Sequence, residues 1–502
     1  MRQVSASARV VRRYTPLLAA ASLTLPLAAT SASAAEAQTP ASLWLPTSAT
    51  PTGEYLTQPE LDAPLLTTNG EDIPGLLLTT PNPDNDQADS KAIIYDENGE
   101  VVWYDDAGPD HGYFDMEPIT YQGEEALMVW EGKAGVVPGE KPETRYVILD
   151  SSYQEVASFE VQGYPTDSHD IEFSADGSKV LLMSYMPVQY DLSEYGGPTD
   201  ARLVNGVIQE QDLETGEVTF EWNALDSIPI SETEVPLDRP DMTGGFDVYH
   251  LNSLEYDDDG NILTSARSTS TVYKLDQETG EIIWRFGGES NDFTFADASQ
   301  IPSGQHDARR LSNGLLSVFD NGNRHDPPAS RGASYELDEE NMTAELVNET
   351  EPELPIFAAF AGSNRQQENG DQLITFGNTG RITEFEDGEE DFSAQLEHGW
   401  MTYRGEIDDW HATPTTAPDA VLGEVAGDGS QTMYMSWNGA TDVAGWLIEA
   451  GPSEDELSTV GYAERAGFET GAEIASADDA AVYKVTALGE FGEALGSTTV
   501  TR

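Results

Sequence analysis

The sequence contains no cysteine, which excludes disulfides, so a large domain has to hold itself together through its core. Basic residues are also scarce, 24 Lys and Arg against 91 Asp and Glu, for a formal net charge of -67. A surface of that sign repels nucleic acid and anionic lipid, and both are excluded as general partners. Lysine is the rarer of the two basic types, which fits solubility in a salty medium, where screening removes the self-repulsion of so many carboxylates. Amphipathic helical periodicity is almost absent. The one long apolar run, Pro16 to Ala29, is too short and too alanine-rich to span a membrane.

That run follows Arg2, Arg9, Arg12 and Arg13 and ends in small residues, the layout of a secretory signal peptide over residues 1–34. The pair Arg12-Arg13 also suggests the twin-arginine route. The mature chain is therefore expected outside the cytoplasm. It is long enough to bury a core without staples, and its 38% hydrophobic content fits a folded protein.

After a leader over residues 35–64, short runs rich in Val, Ile, Thr, Tyr and Trp alternate with Asn-Gly, Asp-Gly and Thr-Gly turns, the chemistry of tight hairpins. "DIEFSADGSKVLLMSY", "SLEYDDDGNILTSAR", "ARRLSNGLLSVFD" and "RQQENGDQLITFG" repeat one strand-turn-strand unit. "IYDENGEVVW", "QDLETGEVTFEW" and "KLDQETGEIIW" repeat a second. Units of four strands recurring along the chain read as propeller blades. A first blade around 65 to 110 and starts near Gly112, Ser168, Tyr249, Gln305 and Ser363 make six. The expected fold is all-β: a six-bladed β-propeller over 65–412 and a small fibronectin type III-like β-sandwich over 413–502, whose role is packing or spacing.

Three of the seven histidines fall in register on this repeat. His169, His250 and His306 each stand immediately before the first strand of a blade, which in a propeller lines the central channel, so they converge at one mouth. Arg267 ends the second strand of the His250 blade, and Arg309, Arg324, Arg331 and Arg365 follow in the next two blades. In a chain this acidic, an anionic substrate needs local positive charge, and guanidinium groups hold tetrahedral oxyanions by paired hydrogen bonds. Imidazole can attack as a nucleophile or move protons near neutrality. The grouping suits transfer of a phosphoryl- or sulfuryl-like group, without selecting which histidine attacks. A metal held by histidines with Asp170 and Asp307 competes, but no paired ligand spacing supports it. "YDDDGN" reads as a solvated hairpin rather than a calcium loop. His325 in "NRHDPP" reads as a loop residue.

"DVYHLNSLEYDDDGNILTSARSTSTVYKLDQETGEIIWRFGG", followed by "QHDARRLSNGLLSVFDNGN" and "SRGASYELDEENMTAELV", resembles the arylsulfotransferase family of secreted six-bladed propellers. The resemblance covers about residues 65 to 410. It implies transfer of a sulfuryl group from an aryl sulfate to a phenol through a sulfohistidine, without a nucleotide sulfate donor and without a cofactor. It implies His306 as the nucleophile, His250 and Arg267 as binders of the sulfuryl oxygens that assist the leaving phenolate, and His169 as a further oxyanion or proton-transfer partner. Asp307, Asp320 and Asn321 are expected to orient groups around His306, and Asn252, Arg331, Asn364 and Arg365 to complete the substrate side. The chain departs from well-studied members in lacking a disulfide, and no oligomeric state follows. The alternatives are a non-catalytic extracellular binding protein and, from the "GEVVW" and "GEIIW" turns, a quinone-dependent dehydrogenase.

Overall fold

The computed structural model of the 502-residue chain describes residues 43–69, 73–83, 89–108, 111–133, 143–240, 244–367, 369–475 and 480–502. The signal-peptide reading of residues 1–34 lies outside them. The fold is all-β, as expected.

Six sheets built on four antiparallel strands follow one another among the described residues, three of them with a fifth strand added at or near the edge. Their innermost strands are Gly112–Tyr121, Ile171–Phe173, Leu251–Tyr256, His306–Arg310 and Ser363–Gln366 for the second to sixth sheets. The first sheet is composite. Leu76–Thr79, Ala92–Tyr95 and Val101–Asp105 come from the N-terminal side, and the innermost strand, Gly405–Asp408, comes from far along the chain. Leu66–Thr68 pairs not with the first sheet but with the outer strand of the sixth.

The middle strands bury both of their faces, as in Ile262–Ala266, Leu316–Asp320 and Gln372–Thr375, which is why these segments are apolar at consecutive positions rather than at alternate ones. In Lys179–Tyr190, Val180 and Leu182 pack toward Met128 and Ile148 of the second sheet, while Leu181 and Met183 pack toward Leu254 and Ile262 of the fourth. Further apolar layers join the fourth sheet to the fifth (Trp284 with Tyr335), the fifth to the sixth (Phe319 with Ile374), the sixth to the first (Leu373 with Leu77) and the first to the second (Ile94 with Val129). Polar bonds run the same way: Leu254 N–H donates to Asp170, Ala308 N–H to Ser253, Asn364 N–H to Asp307 and Gly405 N–H to Thr375. The six sheets are thus linked in a cycle whose inner strands face one another.

The repeated "ETGE" turns have a local cause. Asp212 and Asp276 each accept from the backbone and hydroxyl of a threonine three residues on, and Gly216 and Gly280 take the positive φ of the turn. After Thr413, two four-stranded sheets enclose a separate core that includes Met435, Trp446, Ile448 and Tyr483. The stretch read as a leader also contributes structure: Thr47–Ala49 pairs with Glu469–Ala475, and Tyr55 and Leu61 are buried.

Candidate active site

At the end of the cycle where the inner strands begin, the three histidines meet. The ring centroids of His169 and His250 are 5.0 Å apart, and those of His250 and His306 are 6.0 Å apart. Tyr403, in the approach to the closing strand, lies 5.4 Å from His169 and 6.1 Å from His306. Tyr185 stacks on His169 at 5.4 Å. Neither tyrosine was anticipated from the sequence.

The three imidazoles have unlike partners. His306 Nδ1 lies 2.7 Å from Asn321 Oδ1. The Asn321 amide cannot be turned round, because its Nδ2 donates to the carbonyls of Ala358 (2.7 Å) and Ala361 (3.0 Å). An amide oxygen only accepts, so Nδ1 of His306 carries the proton and Nε2 keeps its lone pair. Burial, then the positive fields of His250 and Arg267, push His306 well below the ordinary imidazole value, so the ring is neutral. His169 and His250 are paired instead with carboxylates: His169 Nδ1 with Asp167 at 2.7 Å, and His250 Nδ1 with Asp247 in a short bond.

Asp247 is held in place by the pairing of Phe246–Asp247 with Leu203 and Val204 of the third sheet. Burial opposes its charge, yet His250, with His169 and Arg267, draws it below the usual carboxylate range. His250 in turn is lowered by burial, against the pull of Asp247. His250 and Asp307 both hold left-handed backbone, φ 53° and 54°, uncommon for residues with a side chain and concentrated at sites the surroundings over-determine.

Arg267 stands next to these rings. Its backbone N–H donates to His250 O at 3.0 Å, its Nη2 donates to Ala359 O at 3.1 Å, and its buried Nε has no partner. The remaining expected residues lie beside or beneath the histidines, with polar atoms engaged inside the protein. Asn252 donates to Gln305 O and its carbonyl accepts from Tyr403. Asp320 accepts from Ser303 N–H, Gly322 N–H and Arg331 Nε, and His325 Nε2 lies 3.4 Å from it. Arg331 also bonds Glu349 and Ser299 O, and Asn364 donates to Ser317.

Beneath the rings the inner strands carry charge. Asp115, Asp170, Asp307 and Arg404 form one group, and below it Glu406, Glu117, Glu172, Glu255, Arg309 and Arg365 come one from each sheet. Asp307 faces Arg309 (3.0 Å), Arg365 and Arg404 (both 3.3 Å). Burial works against its charge, but these guanidiniums hold its carboxyl far below the usual range. Burial pushes Glu255 and Glu406 up to about 7. Oxygens of Asp115, Glu117 and Asp170 converge closely enough for a metal ion. Arg404 Nη1 reaches all three, so a guanidinium supplies the positive charge at that point.

"DSHD" and "DVYH" place an aspartate two and three residues before their histidines, whereas "SGQHD" has none. That difference was a readable sign that His306 is partnered unlike the other two. The arrangement combines one neutral imidazole with a directed lone pair, two imidazole-carboxylate pairs and an arginine, the equipment for nucleophilic group transfer.

Comparison with known proteins gives one family. The family model for arylsulfotransferase (ASST) matches residues 144–397. No curated protein matches. Solved structures with some likeness include a protein of unknown function from Bacteroides caccae, at 14% identity and TM-score 0.40, covering 66% of this chain and 98% of that one. Kuenenia stuttgartiensis hydrazine synthase is 11% identical at TM-score 0.33, covering 59% and 70%. A streptogramin B lyase is 8% identical at TM-score 0.34, covering 68% and 98%. Likenesses this distant carry no argument about fold or activity.

Proposed function

The chain belongs to the arylsulfotransferase family, and from that premise we propose that it is an exported enzyme moving a sulfuryl group from an aryl sulfate to a phenol through a sulfohistidine at His306. The observation that carries this reading is the unlike partnering of the three histidines. Asn321 leaves Nε2 of His306 as the free lone pair, while Nδ1 of His169 and of His250 each faces a carboxylate, Asp167 and Asp247.

In the first step Nε2 of His306 attacks sulfur. The N–S bond forms as the S–O bond to the aryl group breaks, and the electron pair leaves on the phenolate oxygen. His250 supplies the proton; burial makes its imidazolium a stronger acid. Arg267 and His169 bind the sulfuryl oxygens, whose charge is met by donors already in place. In the second step an acceptor phenol returns its proton to His250, its oxygen attacks sulfur, and the N–S bond breaks. Nothing is oxidised or reduced.

The six linked sheets support a six-bladed propeller as the scaffold, and the two sheets after Thr413 support a fibronectin type III-like sandwich. The excess of carboxylates supports operation in salt. The test is incubation of the mature protein with 4-nitrophenyl sulfate and phenol beside His306→Ala. Nitrophenol release and an acid-labile sulfuryl adduct on the His306 peptide are expected with the unsubstituted protein alone. Equal release by both proteins overturns the reading.

A further inference from the structure

One segment next to the histidines is unlike the rest of this acidic surface. Residues 354–361 read "LPIFAAFA", with Leu354 79% and Phe357 40% exposed. The segment joins the fifth sheet to the sixth and runs past the site, with its backbone carbonyls turned to the site's polar groups. Ala358 O and Ala361 O hold the Asn321 amide that orients His306. Ala359 O accepts from Arg267 Nη2 and from Asn323 Nδ2. Phe360 is pinned by Asn378, which exchanges bonds with its N–H and its carbonyl. Gly377 permits the close approach, since a Cβ there would meet Phe360 O at 2.5 Å.

The Phe360 side chain is half-buried against the apolar cluster that contains Phe114 and Tyr403, the two rings lying 6.5 Å and 5.4 Å from His169. An apolar ring on this strap therefore stands one residue from the carbonyl that holds Arg267.

We propose that residues 354–361 form the subsite for the aromatic ring of the substrate, with Phe360 its specificity-determining contact and Phe357 at its outer edge. The inference rests on the transferase reading for the identity of the ligand. It adds the residues that meet the aryl ring: the anionic end of the substrate reaches Arg267 while its ring lies along the strap. Aromatic contact and removal of apolar area from water provide the attraction. The strap's carbonyls tie that contact to the groups holding the nucleophile and the arginine.

The experiment uses the full mature protein, Phe360→Ala and Phe360→Leu, the second retaining apolar volume so that the fold is preserved; thermal melts establish that each is folded. Binding of 4-nitrophenol and of inorganic sulfate is measured by calorimetry, and KM and kcat for 4-nitrophenyl sulfate by nitrophenol release. A lost ring contact weakens nitrophenol binding and raises KM roughly tenfold in Phe360→Ala, less in Phe360→Leu, with sulfate binding unchanged and kcat within about threefold. Unchanged nitrophenol affinity and KM in both folded variants of an active protein overturn the subsite and leave the transferase reading standing. Loss of nitrophenol binding in the variants of a protein that turns over no sulfate donor supports the subsite and overturns the transferase reading.

Discussion

Substitution of Asn321 tests the argument at its centre. Its amide makes three buried bonds: it accepts from His306 Nδ1 and donates to Ala358 O and Ala361 O. Asn321→Ala removes the amide donor from Ala361 O and leaves Ala358 O only the Ser330 hydroxyl at 3.3 Å, at about 1–3 kcal/mol for each lost bond before relaxation, so a fall in stability of roughly 2–4 kcal/mol is expected in denaturant melts. It also frees the imidazole to turn and to place its proton on either nitrogen. A lost orienting partner costs about 10²–10⁴ in kcat where the wrong tautomer results.

Asn321→Asp separates the two effects. A carboxylate still accepts from Nδ1 but stabilises the imidazolium, raising the pKa of His306. The unsubstituted ring lies well below the ordinary imidazole value and stays neutral through the neutral range. In Asn321→Asp the attacking lone pair is protonated up to a higher pH than in the parent, so the acid limb of the kcat profile moves to higher pH. The assay is nitrophenol release from pH 5 to 9 at saturating donor. An unmoved acid limb in Asn321→Asp, with kcat in folded Asn321→Ala within twofold of the parent, would refute the orienting role.

Two further outcomes follow from the buried charges. Arg404 is fully buried against Asp115, Glu117, Asp170 and Asp307, so Arg404→Met leaves carboxylates facing one another and is expected to cost about 3–5 kcal/mol in a urea melt; Arg404→Lys recovers only part, because one ammonium cannot serve carboxylates from several sheets, and a melt within 1 kcal/mol of the parent for Arg404→Met refutes this. Burial raises Glu406, with Arg365 opposing and Glu117 reinforcing, to about 7; because the folded value lies above the unfolded one near 4.3, the stability it contributes is complete below about pH 4.3 and is lost as pH rises through about 7. Melting temperatures at pH 5 and 7.5 should therefore differ less in Glu406→Gln than in the parent, and an unchanged difference counts against the assignment.

The repeat and the register of His169, His250 and His306 were legible because they rest on local turn chemistry and on spacing within each unit. The segment at 260–288 and the "ETGE" turns announce their strands through glycines that only a tight turn needs. Asn321 was expected near His306, but its part as the fixed acceptor of Nδ1 was less legible, since it depends on the carbonyls of Ala358 and Ala361, which come from the strap before the next sheet. Arg404 was not legible at all. Its meaning depends on four carboxylates from three sheets, and "TYRGEID" has the look of an ordinary strand. Residues 43–64 were likewise read as a leader because Pro and Thr conceal a strand whose partner lies beyond residue 468.

The pairing of Thr79 with Gly405 has a consequence for how the protein comes into being. During synthesis Leu76–Thr79 waits with an open edge until nearly the whole cycle has been made, and such an edge is a template for wrong partners. Distant pairings of this kind fold slowly, since the loop entropy is lost before the contact is gained. Arg404 arrives just before the same strand, so Asp115 acquires its guanidinium partner at the moment the cycle shuts. Competence and closure are then a single late event: a chain stopped before Gly405 keeps all three histidines and has no place to assemble them.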